Sequence, residues 1–285
     1  TDILIGHAKA GTRAKRTLKM ALTCGEETSW AFNGARWLTE NKRDLIDAEF
    51  VLNEGGGGRT DGKGTVVAQN FHVGEKTVGN YRIEATNPGG HSSIPVRDNA
   101  IYELSDALVK LREFEFPVML TDTTKAFFSR LGAQRNDEVG KAMLAVVANP
   151  QDKAAVAILD KDRTFHSMLR TTCVATLLDG GHANNALPQR AGALVNCRIF
   201  PGVSYEAVRK TLAEVIGDPR MTVTKVDDRG PIATPPPLTK AMLEPAEKLV
   251  AKYYPGVPLV PMMSTGATDG IYFGAIGIPS YGPPG

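Results

Sequence analysis

Cysteine is scarce in this 285-residue sequence, and charge of either sign is not in excess. The three cysteines, Cys24, Cys173 and Cys197, are an odd number without CxxC spacing, which indicates neither a disulfide framework nor a thiolate zinc site. We expect them to be small buried side chains. Lysine plus arginine total 33 against 31 for aspartate plus glutamate, so the net charge of +2 gives no electrostatic reason to expect nucleic acid or an anionic membrane as a partner.

Long apolar runs are also absent. No stretch approaches the roughly 20 apolar residues that span a bilayer, which argues against a membrane partner. The first residues lack the charged start, apolar middle and cleavage site of a secretory signal. Because both ends of the sequence are abrupt, we expect a truncated or processed piece of a longer protein. The compartment stays open: cytoplasmic or, if an upstream signal was removed, periplasmic or secreted.

The apolar pattern predicts an α/β fold. Residues 17–23 and 48–53 are predicted strands on either side of a helix at 31–42, and residues 65–73 form a further strand. This order is typical of a parallel sheet. From about residue 76 a strand, a helix, two strands, a helix and a strand follow one another, which is the order of a ferredoxin-like α/β sandwich.

One domain is therefore predicted to be split by another. Residues 1–75 and 233–285 form the two parts of an α/β domain with a mainly parallel sheet. Residues 76–232 form the inserted domain, in which a helix-rich stretch at about 121–162 is a further insertion. The segment "RGPIATPPPLT" before the second part is a proline-rich linker with a restricted backbone.

Two adjacent carboxylates, Glu26 and Glu27, follow the first predicted strand. Consecutive residues leaving a strand point to different sides, so one carboxylate can ligate a divalent metal while the other takes a proton from metal-bound water. An acidic start of the next helix is the alternative. Glu54 ends the following strand and would emerge at the same edge of a parallel sheet, where three carboxylates repel unless a cation lies among them.

Four glycines at 55–58 come directly after Glu54. The sequence does not favour a phosphate-binding loop, because GK[ST] is missing and no helix is predicted to follow. The glycines are better interpreted as residues that let the backbone turn away from a crowded site.

A second group of candidates lies in the inserted domain. His91, in the loop "NPGGHSSIP", is a poor core residue and a candidate for reaching out of its domain, with an incidental turn histidine as the alternative. Asn185 follows in "GGHANNALPQRA". Arg198, in a strand with apolar neighbours, needs an anionic partner, which is either a substrate carboxylate or an acid of the fold. His72 and His166 have no motif and are interpreted as ordinary surface or packing residues.

Together these motifs resemble the M20 family of metallopeptidases, the group of carboxypeptidase G2 and succinyl-diaminopimelate desuccinylase. The similarity rests on "ALTCGEE", "GGHSSIP", "NALPQRA", "GATDG" and "GIPSYG", in consistent order over nearly the whole chain. It implies a catalytic α/β domain with two Zn²⁺ ions per subunit and an inserted lid domain that forms a homodimer. The implied substrate is a small peptide or an N-acyl amino acid with a free carboxylate, hydrolysed at its amide bond.

The resemblance also implies roles by position. Glu26 would be the general base that activates the water between the metals, and Glu27 and Glu54 would each ligate one zinc ion. His91 would reach the active site of the partner subunit and polarise the scissile carbonyl. The remaining candidates would bind substrate: Asn185, Arg198 through the substrate carboxylate, and the pocket loop Gly266, Ala267 and Thr268.

The sequence departs from the family pattern in its metal ligands. The family's two metal-binding histidines and its bridging aspartate lie outside these 285 residues, and Gly25 replaces the usual aspartate before the carboxylate pair. Glu27 and Glu54 alone fall well short of a tetrahedral ligand set. We therefore expect this chain to hold metal weakly or not at all and to be inactive as it stands. A non-catalytic dimerising or ligand-binding protein of the same fold is the alternative.

Overall fold

A computed structural model describes residues 2–26, 32–226 and 230–284, which divide into two units, Thr1–Ala48 and Glu49–Gly285. The described residues of the first unit contain the helices α1 (Asp2–Lys9), α2 (Gly34–Asn41) and α3 (Arg43–Ile46). Within the described ranges of both units, no helix is long and apolar enough to cross a membrane.

In the first unit the predicted helix is confirmed and the predicted strand is wrong. Asn33 caps helix α2, since its Oδ1 accepts a hydrogen bond from the backbone N–H of Arg36 at 2.8 Å. Residues 17–23 form no strand with any described residue, and the alternating side chains of Leu18, Met20 and Leu22 are exposed. Apolar alternation produces a strand only where a neighbouring strand completes the hydrogen bonds of the backbone.

The second unit contains a mixed sheet, which confirms the predicted α/β class. Its strands are β1 (Val51–Leu52), β2 (Gly57–Thr60), β3 (Val66–Glu75), β10 (Leu259–Ser264) and β11 (Ser280–Gly282). The order is β1-β11-β3-β10, with β2 also paired to β3. The pairs β1–β11 and β3–β10 are parallel, and the pairs β11–β3 and β2–β3 are antiparallel. Of the four glycines after Glu54, Gly55 and Gly56 precede β2, whereas Gly57 and Gly58 are its first two residues and do not form the predicted turn.

Two helices accompany the carboxyl-terminal part of this sheet, α10 (Lys240–Tyr253) and α11 (Gly270–Ala275). One face of the sheet packs around Phe71, Val73 and Tyr281, together with Val250 of α10. This small core holds β3 and β11 side by side.

The inserted part of the second unit contains a four-stranded antiparallel sheet, here called the lid sheet. Its strands are β4 (Thr77–Thr86), β6 (Thr172–Gly180), β8 (Arg190–Ile199) and β9 (Thr222–Lys225), in the order β6-β8-β4-β9. Helices α4 (Ala100–Glu113) and α9 (Tyr205–Ile216) pack on one of its faces. This chain order and strand order confirm the predicted ferredoxin-like sandwich.

The alternation of residues along β8 separates the two faces of the lid sheet. Val195, Cys197 and Ile199 lie in the core with α4 and α9. Because side chains alternate along a strand, the intervening Asn196 and Arg198 lie on the opposite face.

Between α4 and β6 the chain forms four helices that share a core with the mixed sheet. They are α5 (Asp122–Ala133), α6 (Glu138–Ala148), α7 (Lys153–Leu159) and α8 (Arg163–Leu169). Their buried side chains, among them Phe127 and Met143, pack with Ala68 of β3 and Val260 of β10. The helical segment ends at Leu169, about two helical turns beyond the predicted end of the insertion. The predicted domain boundaries near residues 75 and 232 stay predictions.

An ion cluster around the buried Arg170 fixes the end of α8. The side chain of Arg170 is only 4% exposed and pairs with Glu115 at 2.7 Å and Asp160 at 3.0 Å. His166, expected to be an ordinary residue, belongs to the same cluster through its contact of 3.0 Å with Asp160. Only Arg170 is buried in this cluster, since Glu115 is 58% exposed, and the two ion pairs of Arg170 tie the end of α8 to the residues before α5 and after α7.

The interpretation of the cysteines is wrong on two counts. Cys173 and Cys197 form a disulfide between directly paired positions of β6 and β8, and Cys24 is exposed. The two bonded cysteines are separated by 24 positions in the sequence, and only the antiparallel register brings them together. Their spacing alone therefore carried no signal.

Candidate active site

The backbone at Glu54, which follows β1, is held by contacts with β3 and β11. The Glu54 side chain is exposed, while its backbone oxygen accepts a hydrogen bond from Nδ1 of the buried His72 at 3.1 Å. Nε2 of the same ring lies 2.7 Å from the backbone oxygen of Gly74. The ring therefore lies between two carbonyl oxygens, one from the Glu54 segment and one from the end of β3. His72 is thus more than a packing residue, because it orients the Glu54 segment.

Gly282 of β11 lies against the same stretch of backbone. A Cβ atom at this position would lie 2.0 Å from the backbone oxygen of Glu54, a distance that forbids any side chain. The glycine of the "SYG" strand is therefore required by the close approach of β11 to the Glu54 segment.

The predicted pocket loop, Gly266 to Thr268, is anchored beside the same segment. The backbone N–H of Thr268 donates to a carboxylate oxygen of the buried Glu75, and its hydroxyl accepts from Nδ2 of Asn53 at 3.3 Å. The structure thus brings the loop next to the residue that precedes Glu54. A cavity of about 260 Å³ adjoins the loop, lined by His72, Glu75 and Thr268 among others.

His91 and Asn185 are also brought together. Strand β5 (Gly90–His91) pairs with β7 (Ala186–Leu187), and the N–H of Ser92 donates to the backbone oxygen of Asn185 at 2.9 Å. The side chains of His91 and Asn185 are both exposed.

The tautomer of His91 follows from its neighbour Ser93. Nδ1 accepts the backbone N–H of Ser93 at 3.2 Å and lies 2.7 Å from the Ser93 hydroxyl. A nitrogen that accepts an N–H carries no proton, so in the neutral ring the proton is on Nε2. This exposed Nε2–H points to a role as a donor to a carbonyl oxygen, since no described residue accepts it.

Arg198 is half-buried on the face of the lid sheet that α4 and α9 leave uncovered. It pairs across the sheet with Val78 of β4 and Thr172 of β6. Close to it is Lys76, a fully buried residue whose pKa is lowered by burial and then by the charges of Arg198 and Arg170. The sequence pattern did not indicate Lys76, because nothing in "VGEKTV" distinguishes it from a surface lysine of a strand.

The carboxylate pair is only partly described. Glu26 is an exposed turn residue of the first unit, and Glu27 lies outside the described residues. Before the pair, Gly25 has φ of +86°, and a Cβ there would lie 1.8 Å from the backbone oxygen of Phe32. This crowding is the physical reason why glycine, and not aspartate, suits the position.

The described residues do not form a metal site by themselves. Within the three described ranges, no three His, Cys, Asp or Glu side chains come together as ligands. Glu54 is a single exposed carboxylate, and the roles of Glu26, Glu27 and Glu54 therefore stay predictions.

The family model described as a peptidase dimerisation domain matches residues 73–221, more than half of the chain. A probable carboxypeptidase S-like protein of Dictyostelium discoideum is 26% identical over 269 residues, which are 91% of this chain and 50% of that protein. The N-fatty-acyl-amino acid synthase/hydrolase PM20D1 of Homo sapiens is 24% identical over 205 residues, 70% of this chain and 40% of that protein. The chain spans about half the length of these relatives or less.

Solved structures show the same fold. The M20 metallo-carboxypeptidase Sso-CP2 of Sulfolobus solfataricus aligns with a TM-score of 0.57 at 17% identity, covering 90% of this chain and 60% of that one. The dipeptidase Dug1p of Saccharomyces cerevisiae aligns with a TM-score of 0.53 at 15% identity, covering 87% of this chain and 54% of that one.

With its ferredoxin-like lid sheet and the matched dimerisation domain, the chain belongs to the M20 family of metallopeptidases. The resemblance inferred from the motifs is thereby confirmed. Metallopeptidases are hydrolases that use a divalent metal.

The close approach of Gly282 to the backbone of Glu54 predicts that one added methyl group lowers the stability of the fold. Replacing Gly282→Ala forces the added Cβ against the backbone oxygen of Glu54, and we expect a loss of about 2 kcal/mol in the free energy of unfolding, measured by urea denaturation. Gly57→Ala is the matched control, since no atom lies within 4 Å of a Cβ at that position. Equal stability of the two variants would contradict the close packing described for Gly282.

Proposed function

We propose that the protein hydrolyses amide bonds in small peptides or N-acyl amino acids that carry a free carboxylate. The placement of Arg198, half-buried on the face of the lid sheet opposite α4 and α9, carries this proposal, because a guanidinium there suits a substrate carboxylate. The names of the relatives, carboxypeptidase S-like protein and N-fatty-acyl-amino acid synthase/hydrolase, are consistent with such substrates.

The residues of the lid have separate tasks in this proposal. Arg198 binds the carboxylate and so orients the substrate. The exposed Nε2–H of His91 donates to the oxygen of the scissile carbonyl, where negative charge develops as the amide is attacked. Asn185, on the neighbouring strand connection, holds the substrate beside His91.

The metal chemistry is proposed for the whole protein. Two zinc ions, with Glu27 and Glu54 among their ligands, would supply a Lewis acid and lower the pKa of bound water. Glu26 would act as the base toward that water. The pocket loop Gly266, Ala267 and Thr268 would bound the substrate on the side of Glu54.

A homodimer through the edge of the lid sheet is the proposed assembly. Among the described strands, β6 is an edge strand, and its side chains Val174, Leu177 and Leu178 are 61%, 64% and 68% exposed. An apolar edge strand of this kind readily pairs with a second copy. In this arrangement His91 would serve the active site of the partner subunit.

The disulfide favours one of the two compartments left open above. Disulfides form and persist in oxidising environments, so we infer a periplasmic or secreted location from Cys173–Cys197.

A second candidate is a dimerising or ligand-binding protein of the same fold without catalysis. It is favoured by one observation, the lack of any three-ligand metal group within the described ranges. A longer sequence of the gene product would distinguish the two candidates. The family's two metal-binding histidines and its bridging aspartate in that sequence would favour the hydrolase, and their absence would favour the non-catalytic candidate.

Carboxylate recognition is tested by binding N-acetylphenylalanine to the chain in a calorimeter. We expect Arg198→Gln to weaken the affinity by about tenfold or more, because a charge-assisted hydrogen bond is lost. The carboxamide of the same compound should bind weakly to both proteins. Arg190→Gln is the matched control, since Arg190 is an exposed arginine of the same strand. An unchanged affinity of Arg198→Gln would contradict the role of Arg198 in binding the carboxylate, on which the proposed function rests.

Hydrolysis by the 285 residues is tested after incubation with zinc. We expect little bound metal by elemental analysis and no turnover of N-acyl amino acids, because the described residues surround Glu54 with no further ligands. Robust hydrolysis that a chelator abolishes would overturn the expected inactivity and remove the non-catalytic candidate.

The dimer is tested by sedimentation velocity. Leu178→Lys places a charge on the proposed interface, so we expect the dissociation constant of the dimer to rise by about tenfold or more. Leu249→Lys changes an equally large exposed leucine on α10, outside the lid sheet, and should leave the dimer intact. A dimer that tolerates Leu178→Lys would place the interface elsewhere.

A further inference from the structure

Residues 87–98, here called the His91 loop, connect β4 with α4. The two ends of this loop are joined, because Nδ2 of Asn87 donates to the backbone oxygen of Asp98 at 3.3 Å. The backbone N–H of Asn87 donates in turn to the backbone oxygen of Gln189 at 2.9 Å. The loop is thus closed at its base, and the position of this base decides where His91 is presented.

Arg220, in the turn between α9 and β9, reaches the base of the loop. Its Nη1 lies 3.1 Å from Oδ2 of Asp98 and 3.0 Å from Oε1 of Glu103, in the first turn of α4. Its Nη2 and Nε donate to the two carboxylate oxygens of Asp218 at 2.9 and 3.2 Å. The fork of a guanidinium suits several acceptors at once. Arg220 therefore ties the end of the His91 loop and the start of α4 to the turn after α9.

The carboxylates of Asp98 and Glu103 lie side by side because a cation lies between them. The side chain of Glu103 is 7% exposed, and its Oε2 is buried and accepts no hydrogen bond from a described residue. Burial and the neighbouring Asp98 raise the pKa of Glu103, whereas Arg220 lowers it. Arg220 thus favours the ionised form of Glu103 beside Asp98. The same cavity of about 430 Å³ is also lined by the charged residues Arg97, Asp106, Lys110 and Asp218.

We propose that Arg220 is a positioning residue for His91. By holding Asp98 and Glu103 together, it fixes the base of the His91 loop, and with it the direction from which His91 reaches the carbonyl of a substrate. The inference rests on the proposed function, in which His91 donates to that carbonyl. Arg220 acts through the loop and not on the substrate.

Hydrogen exchange of two backbone amides, resolved by NMR, tests this role. The amide of Ser92 donates to the backbone oxygen of Asn185 and reports on the placement of the loop. The amide of Val195, in the middle of β8, reports on unfolding of the lid sheet. At about pH 7.5 we expect Arg220→Gln to lower the protection factor of Ser92 by about fivefold or more and that of Val195 by less than about twofold, because the lost ion pairs act locally.

Arg209→Gln is the matched control. Arg209 pairs with Glu206 inside α9 at 2.6 Å, away from the His91 loop, so this variant should leave the protection of Ser92 unchanged.

A dependence on charge distinguishes positioning by Arg220 from a merely structural role. In Arg220→Gln the protection of Ser92 should recover as the pH falls from about 7.5 to about 5, because a protonated Glu103 no longer repels Asp98. Adding Asp98→Asn to Arg220→Gln removes the same repulsion, so the double variant should protect Ser92 better than Arg220→Gln does at neutral pH.

Three results would overturn the inference. They are wild-type protection of Ser92 in Arg220→Gln, an equal fall at Ser92 and Val195, and a fall that neither low pH nor Asp98→Asn reverses. None of them bears on the proposed function. Its failure would appear instead as an unchanged affinity of Arg198→Gln for N-acetylphenylalanine, a measurement that does not involve the His91 loop.

Discussion

The pairing of β8 with β4 and β6 is the constraint on which the lid depends. Tyr81, Ile83 and Val195 are buried against α4 and α9, and this buried set specifies which residues face the helices. A slip of one residue would move the whole set to the other face. It would also turn Arg198 into the core, so the same register that stabilises the lid presents the arginine to a ligand.

In the mixed sheet, the position of Glu54 is determined by close contacts between backbone segments. The segment after β1 passes so near to Gly282 that no side chain fits between them, and His72 hydrogen-bonds to the same stretch. Glu54 is exposed, yet its backbone is held from two sides. An exposed carboxylate on a fixed backbone suits a ligand position, because little freedom is lost when it binds.

Some elements were predictable because their signal is local. Helices α4 and α9 and strands β4 and β8 follow from the period of their apolar residues, and the motifs were sufficient to identify the M20 family. The segment at 17–23 has an equally regular alternation but pairs with no described strand, so its pattern misled. Cys173 and Cys197 show the opposite failure, since their partnership depends on a register that no local pattern contains.

For the candidate site, too, the sequence indicated some features and only the structure revealed others. The sequence by itself indicated Glu54, His91, Asn185 and Arg198, because each lies at a strand end, in a glycine-rich loop or among apolar neighbours where its chemistry is out of place. Only the tertiary structure decided that His91 adjoins Asn185 and that Lys76 lies buried beside Arg198. The physical reason is that burial and charge proximity are properties of packed surfaces, which here bring together residues 94 and 122 positions apart in the sequence.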